Sequence, residues 1–248
     1  MTTSRRRALA RLVGVAMAAT LLIGLLPLAG ASAATRYSLD VSKRADFVAQ
    51  TNFVQCVGAS MQMMLNMIEP GRDRSSKTQL RLQNLARAWS GSRSDGRQRQ
   101  GASVRGWTAG LNILGAGPYK LVGADSIEDA LRLAATAISD TGKPVGLLMW
   151  RGRHAWVMSG FTATADPTKT DRFRVTRANV HDPLYPYGSS VWGPSPTPGE
   201  SLTVAELGRQ YVRRRMSSQF GGQPSTLGGK YVLVLPYEPD YSIWSNVR

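Results

Sequence analysis

An α+β domain, helices first and an antiparallel sheet second, is what this sequence predicts. Three observations carry that reading. In the first half, the apolar residues Val57, Met61, Met64, Leu65 and Ile68 recur at helical spacing. The second half changes period, to short apolar runs bounded by turn residues, such as residues 145–150 behind Lys143-Pro144. The chain has 248 residues, 42% apolar and 19% charged, an ordinary globular composition with length for one domain and appendages.

The elements follow in order. Residues 35–53 read as extended and irregular. Over residues 54–68, Cys56, Ser60, Met63 and Met67 form a second stripe beside the first. A helix apolar on most sides is central and buried, and its methionines, Met61, Met63, Met64 and Met67, read as core packing. Glu69-Pro70-Gly71 stops it. Leu82, Leu85, Ala86 and Trp89 mark a second, amphipathic helix. Residues 91–101 are a polar loop, 104–114 a short helix and 119–122 a strand. Ser126 and Asp129 stand at capping-box spacing, with Asp in place of Glu or Gln, ahead of a helix carrying Ile127, Ala130, Leu131, Ala134 and Ile138. Strands are expected over 145–150, 154–161 and 173–180. Residues 183–198, rich in Pro, Gly and Ser, read as a loop, 202–215 as a helix and 230–236 as a closing strand.

Residues 1–33 are expected to lie outside the fold. Arg5, Arg6, Arg7 and Arg11 precede an apolar run, and Ala31-Ser32-Ala33 follows it. That order is the n-region, h-region and cleavage site of a secretory signal peptide. Ser4-Arg5-Arg6 also hints at the twin-arginine form. The apolar run is close to the lower limit of a membrane span, so an uncleaved anchor holding the domain outside the cell is the alternative. The expected division is a signal peptide, 1–33, and one domain, 34–248, secreted or at the cell surface.

Charge and composition narrow the partners. The whole chain carries +15, and removing four Arg leaves 27 Lys and Arg against 16 acids, a charge of +11. So basic an exported domain meets anionic partners, a cell-wall polymer among them. Eight Lys and Arg lie between Arg72 and Arg99, and a second cluster is Arg209, Arg213, Arg214 and Arg215. These read as solvated faces. Only Trp89 is interleaved with the first cluster, so the stacking platform of a nucleic-acid binder is missing and no specific nucleic acid is expected. One cysteine excludes an intrachain disulfide or a Cys-only zinc site, and two histidines argue against a multi-histidine metal centre. No cofactor or metal is expected.

Cys56, His154, Asp182 and Gln50 form the constellation that could carry chemistry. A reactive thiol needs its thiolate stabilised, by a helix start or a neighbouring imidazolium. Cys56 falls in the first turn of the central helix. A histidine near neutral pH can take the thiol proton and return it to a leaving group. His154 opens an apolar strand beside a glycine-containing turn. A third group must orient the imidazole, and Asp182 stands at a strand end before Pro183. The oxyanion formed on attack needs two donors. The Cys56 N–H is one, and the Gln50 amide, six residues upstream, is the second. His181, the rival base, should point to the opposite face of its strand from Asp182.

Gln50-Thr-Asn-Phe-Val-Gln-Cys56-Val-Gly-Ala-Ser-Met resembles the glutamine-to-cysteine motif of papain-like cysteine peptidases, closest to the branch of bacteriocin-leader-processing peptidases and their secreted bacterial relatives. Residues 143–150 followed by His154-Ala-Trp-Val-Met-Ser-Gly-Phe161 resemble that branch's histidine strand, and Asn179-Val-His-Asp182-Pro183 its Asp-Pro motif. The order Cys, His, Asp is the family's. The resemblance spans roughly residues 45–236. It implies a papain-like fold, a central cysteine-bearing helix packed on an antiparallel sheet bearing His and Asp, and an exported thiol hydrolase that cleaves peptide or protein substrates. The chain departs from the family at Gln55, where Trp, Asp or Ser is usual, and at Val57-Gly58, where Gly-Pro or Trp-Ala is usual. The alternatives are an inactive peptide- or wall-binding protein of the same fold, a cell-wall amidase, and a basic surface protein with a structural cysteine.

Cleavage at the small-residue site predicts that N-terminal sequencing of exported material begins near Ala34. An intact Met1 end in the membrane fraction would instead establish the anchored form.

Overall fold

A computed structural model describes residues 36–69, 73–91, 100–216 and 226–239. The expected export signal lies outside these residues, as does most of the polar loop expected at 91–101. The described chain is α+β, with helices packed on an antiparallel sheet. Among the described residues no helix is long and apolar enough to cross a membrane.

Three helices come first: α1 (Cys56–Ile68), α2 (Ser76–Ala88) and α3 (Val104–Ile113). They follow a short strand, β1 (Tyr37–Asp40), and a 3-10 turn at Arg44–Asp46. β2 (Tyr119–Ala124) leads to α4 (Ile127–Thr141), then to β3 (Val145–Met149), β4 (His154–Ala163) and β5 (Val175–His181). β6 (Gly188–Ser189) and β7 (Gly193–Pro194) pair with each other inside the expected loop. β8 (Glu200–Thr203), α5 (Val204–Gly208) and β9 (Tyr231–Pro236) complete the described elements. The main sheet runs β2-β9-β3-β4-β5-β8, every pair antiparallel. β4 is long enough to take two partners on one edge, β3 along residues 154–158 and β1 along 160–163.

The sheet separates two apolar cores because successive side chains of a strand point to opposite faces. Ala155 and Val157 of β4 pack with Met61, Met63 and Met64 of α1 and with Trp107 of α3. Trp156 and Met158 pack with Leu131, Ala134 and Ile138 of α4. α1 is therefore buried along most of its length. At the start of α4, Ser126 Oγ accepts the Asp129 N–H at 3.0 Å, while the Asp129 carboxylate takes the Ser126 hydroxyl. The shorter Asp side chain thus serves the hydroxyl, where a Glu would reach back to the N-cap amide.

The helix expected over 202–215 is corrected. Residues 200–203 instead pair with β5, because that strand's outer edge carries backbone groups that need partners. α5 starts only at Val204, where Thr203 and Glu206 form a reciprocal capping box. Beyond it, the backbone bonds to other segments: the Gln210 carbonyl accepts from Trp150, and Arg214 N–H donates to Lys230.

His181 closes β5 in the interior, with Nε2 3.1 Å from Ser159 Oγ and its ring stacked on Phe47. Burial pushes its pKa down to about 4, against the opposing charges of Asp40 and Asp46. Below about pH 6.5 the unfolded chain therefore binds a proton that the folded one refuses. Stability is expected to fall as pH drops from 6.5 through 4, by up to about 3 kcal/mol. Urea unfolding of wild type and His181→Gln at stepped pH measures this; the variant's profile should be flatter over that window.

Candidate active site

Cys56 is the first residue of α1, so the local question is what organises that helix start. Its N-cap, Gln55, makes no side-chain capping bond. A neighbouring helix supplies one instead: Gln83 Oε1 accepts the Gly58 N–H at 2.9 Å, and Gln83 Nε2 donates to the Val54 carbonyl at 2.8 Å. One helical turn away, Gln79 Nε2 donates to the Ala49 carbonyl at 2.9 Å and Gln79 Oε1 accepts the Thr51 N–H at 2.8 Å. Two buried amides of α2 thus grip the segment leading into Cys56 from both ends. Gly58 permits the approach, since a Cβ there would lie 2.7 Å from the Gln79 carbonyl oxygen. The Cys56 and Val57 N–H groups belong to the first turn and have no intrahelical acceptor, and the helix dipole presents its positive end there. The Cys56 side chain is half-buried and in no disulfide.

His154 opens β4 at the end of the sheet, and α1 is pinned beside it by the bond from Ser60 Oγ to the Ala155 carbonyl at 3.2 Å. The His154 Nε2–H donates to Asp182 Oδ1 at 2.6 Å. The Cys56 side chain also acts on the imidazole, raising its pKa. Asp182 is fully buried, His154 4% exposed. A buried carboxylate needs several donors, and Asp182 has them. Oδ1 also accepts the Leu184 N–H at 2.8 Å, and Oδ2 accepts the Ser195 hydroxyl at 2.5 Å.

Burial alone would lower the His154 pKa. The hydrogen bond to Asp182 and its charge, with the influence of Cys56, together outweigh it and raise it to about 9. The ring is therefore an imidazolium at neutral pH, paired with the Asp182 carboxylate. Stability from this protonation is complete below about pH 6.5 and lost as pH rises through 9.

Gln50 is brought next to this group by its N–H, which donates to the Pro183 carbonyl at 2.7 Å. Its side-chain Nε2 donates to the Asn52 carbonyl at 2.8 Å, and its Oε1 is buried without a partner among the described residues. One N–H of that amide is thus committed within its own loop. His181 stays apart, bonded to Ser159. Among the described residues no group of three His, Cys, Asp or Glu side chains could hold a metal ion.

Sequence reasoning missed the residues that hold the imidazole. The Trp150 ring stacks on His154, centroids 4.0 Å apart and planes 22° apart. Trp150 and Arg151 both have positive φ, 54° and 58°, a conformation that side chains larger than Asn rarely adopt. Two bonds to one residue hold Trp150 there. Its N–H donates to the Gln210 carbonyl at 3.1 Å, and its Nε1–H to Gln210 Oε1 at 2.8 Å. Gln210 Nε2 in turn donates to the Pro194 carbonyl at 3.0 Å, next to the Ser195 that bonds Asp182. A closed ring of contacts therefore runs His154, Trp150, Gln210, Pro194-Ser195, Asp182 and back. Comparison with protein-family models, with curated proteins and with solved structures finds no match.

Gln210→Ala removes the partner of two part-buried polar groups, the Trp150 indole N–H and the Pro194 carbonyl. It should cost about 1 kcal/mol in urea unfolding. It should also lower the His154 pKa followed by NMR, as Trp150 and Asp182 lose their fixed bearings. An unchanged His154 titration would show that the ring of contacts does not position the imidazole.

Proposed function

We propose that this chain is an exported papain-like cysteine peptidase that hydrolyses peptide bonds by acyl transfer, with Cys56 as nucleophile, His154 as acid and base, and Asp182 as orienter. The observation that carries the reading is the buried 2.6 Å bond from His154 to Asp182, on an imidazole whose pKa Cys56 also raises. The family assignment rests on the three motifs, and the central helix on an antiparallel sheet supports it.

In this reading the Cys56 thiolate attacks the substrate carbonyl carbon and a C–S bond forms. The carbonyl π electrons move to oxygen, where the Cys56 N–H and the second Gln50 N–H donate to the oxyanion. The electrons return, the C–N bond breaks, and His154 gives its proton to the leaving amine. Neutral His154 then takes a proton from water, the hydroxide attacks the thioester, and the acid leaves as the thiolate re-forms. Asp182 holds the ring's orientation throughout.

The test combines thiol labelling with turnover. Iodoacetamide should label Cys56 rapidly below pH 7, more slowly in His154→Ala, and the kcat/KM profile should lose activity as pH rises through about 9, where His154 loses its proton. On a peptide library, Gln50→Ala should lower acylation by about 10²–10³ while leaving labelling nearly unchanged, because alkylation makes no oxyanion. Turnover undiminished in Gln50→Ala would remove Gln50 from the mechanism. A reactive Cys56 with no turnover on any peptide would favour the amidase or the inactive binding protein.

A further inference from the structure

The fold brings together two arginine groups that lie about sixty residues apart in sequence. Arg151 and Arg153 are on the hairpin between β3 and β4, the latter next to His154, and both are exposed. The segment 213–216 lies against this hairpin. The Arg215 N–H donates to the Arg151 carbonyl at 3.3 Å, and a Cβ on Gly152 would lie 3.2 Å from Arg214 Cγ. Other cations nearby are already engaged: Lys230 pairs with Asp125, and Arg213 donates to the Asp125 carbonyl. Among the described residues Arg151, Arg153 and Arg215 have no acidic partner.

We propose that Arg151, Arg153 and Arg215 form a rim that binds carboxylates on the leaving-group half of a peptide substrate, C-terminal to the bond cleaved. This rests on the hydrolase reading of the site. His154 hands its proton to the leaving amine, so the part of the substrate carrying that amine passes beside the hairpin that carries His154. The hairpin is held by the paired bonds of Trp150 to Gln210, so its guanidinium groups start from a fixed backbone and lose less freedom on binding. Three like charges on one patch repel one another until an anion occupies it, and guanidinium groups match carboxylates in fork geometry. The patch is also short. Arg172 and Arg174 are exposed at the far end of β4, about 30 Å away at the rise of a ten-residue strand. That suits two or three carboxylates of an extended peptide better than a long polyanion.

The probes are fluorescein-labelled dodecapeptides with Glu or Gln in the C-terminal half, their sequence-reversed counterparts, and polyglycerol phosphate, titrated against the full chain carrying Cys56→Ala. The Glu peptide should bind roughly tenfold more tightly than its Gln match at low salt, about two- to fivefold for each exposed pair, and less so at high salt. Arg153→Glu with Arg215→Glu should abolish the advantage, while Arg172→Glu with Arg174→Glu should keep it. In wild type the Glu peptide should also slow alkylation of Cys56, which places it across the site. Equal affinity for Glu and Gln peptides, an equal loss in the Arg172 and Arg174 control, preference for Glu in the N-terminal half, or Arg-dependent binding of the phosphate polymer alone would each overturn the proposal. Turnover of the same peptides is read separately. A wild type without turnover but with the Glu preference intact overturns the hydrolase reading and keeps the rim as a carboxylate-binding surface.

Discussion

A carboxylate with no access to water is the constraint on which this structure turns. Asp182 is fully buried, and an unpaired ionised carboxylate in that position would cost several kcal/mol after relaxation. Every element around it supplies a donor. β5 delivers it to the sheet end, the turn behind it returns the Leu184 N–H, the β7 segment brings the Ser195 hydroxyl, and β4 brings the imidazole. The antiparallel register that sets Val157 opposite His181 puts the start of β4 and the end of β5 side by side. The short β6–β7 hairpin, inside a stretch that reads as plain loop, makes sense in these terms. Its β7 strand leads directly into Ser195, whose N–H is in turn held by the Tyr187 carbonyl.

The helix start at Cys56 is organised on the opposite principle. There the useful groups are the ones left unbonded. A self-capping residue at position 55 would engage an N–H near the thiol. This chain has Gln55, which makes no capping bond; its Oε1 instead accepts the Thr51 hydroxyl at 2.5 Å. The stabilisation comes from Gln83, which caps at Gly58, past the two amides that face the site. Gly58 follows from this packing, since a side chain there would push α2 and both of its glutamines away.

The sequence shows what periodicity and chemistry can show. α1, α4 and β3 to β5 stand out because their apolar residues repeat at 3.6 or 2 residues. Cys56, His154 and Asp182 stand out because few residue types can carry nucleophilic or acid–base chemistry. Gln79, Gln83 and Gln210 are not legible in the same way. A glutamine amide that bridges two backbone segments has no spacing rule, and its type suits a solvated face equally well. The stretch from 200 to 216 misleads for a related reason. Its apolar residues fit a helical stripe, but the open edge of β5 and the backbone of the Trp150 hairpin compete for it, and tertiary hydrogen bonds outweigh local propensity.

The two histidines show how environment rather than residue type assigns a role. Both are buried at the same end of the paired strands β4 and β5, and both lose hydration. His181 has carboxylates in reach, Asp40 and Asp46, yet they act on it only through space and its pKa falls to about 4. His154 has one carboxylate directly bonded at 2.6 Å and Cys56 acting on it besides, and its pKa rises to about 9. At His154 the direct bond to Asp182 and the influence of Cys56 together outweigh desolvation, whereas the unbonded charges near His181 do not. An imidazole that cannot hold a proton cannot hand one to a leaving group. Of the two, only His154 holds a proton at neutral pH, and the ring of contacts through Trp150, Gln210 and Ser195 keeps its bonding partners from drifting apart.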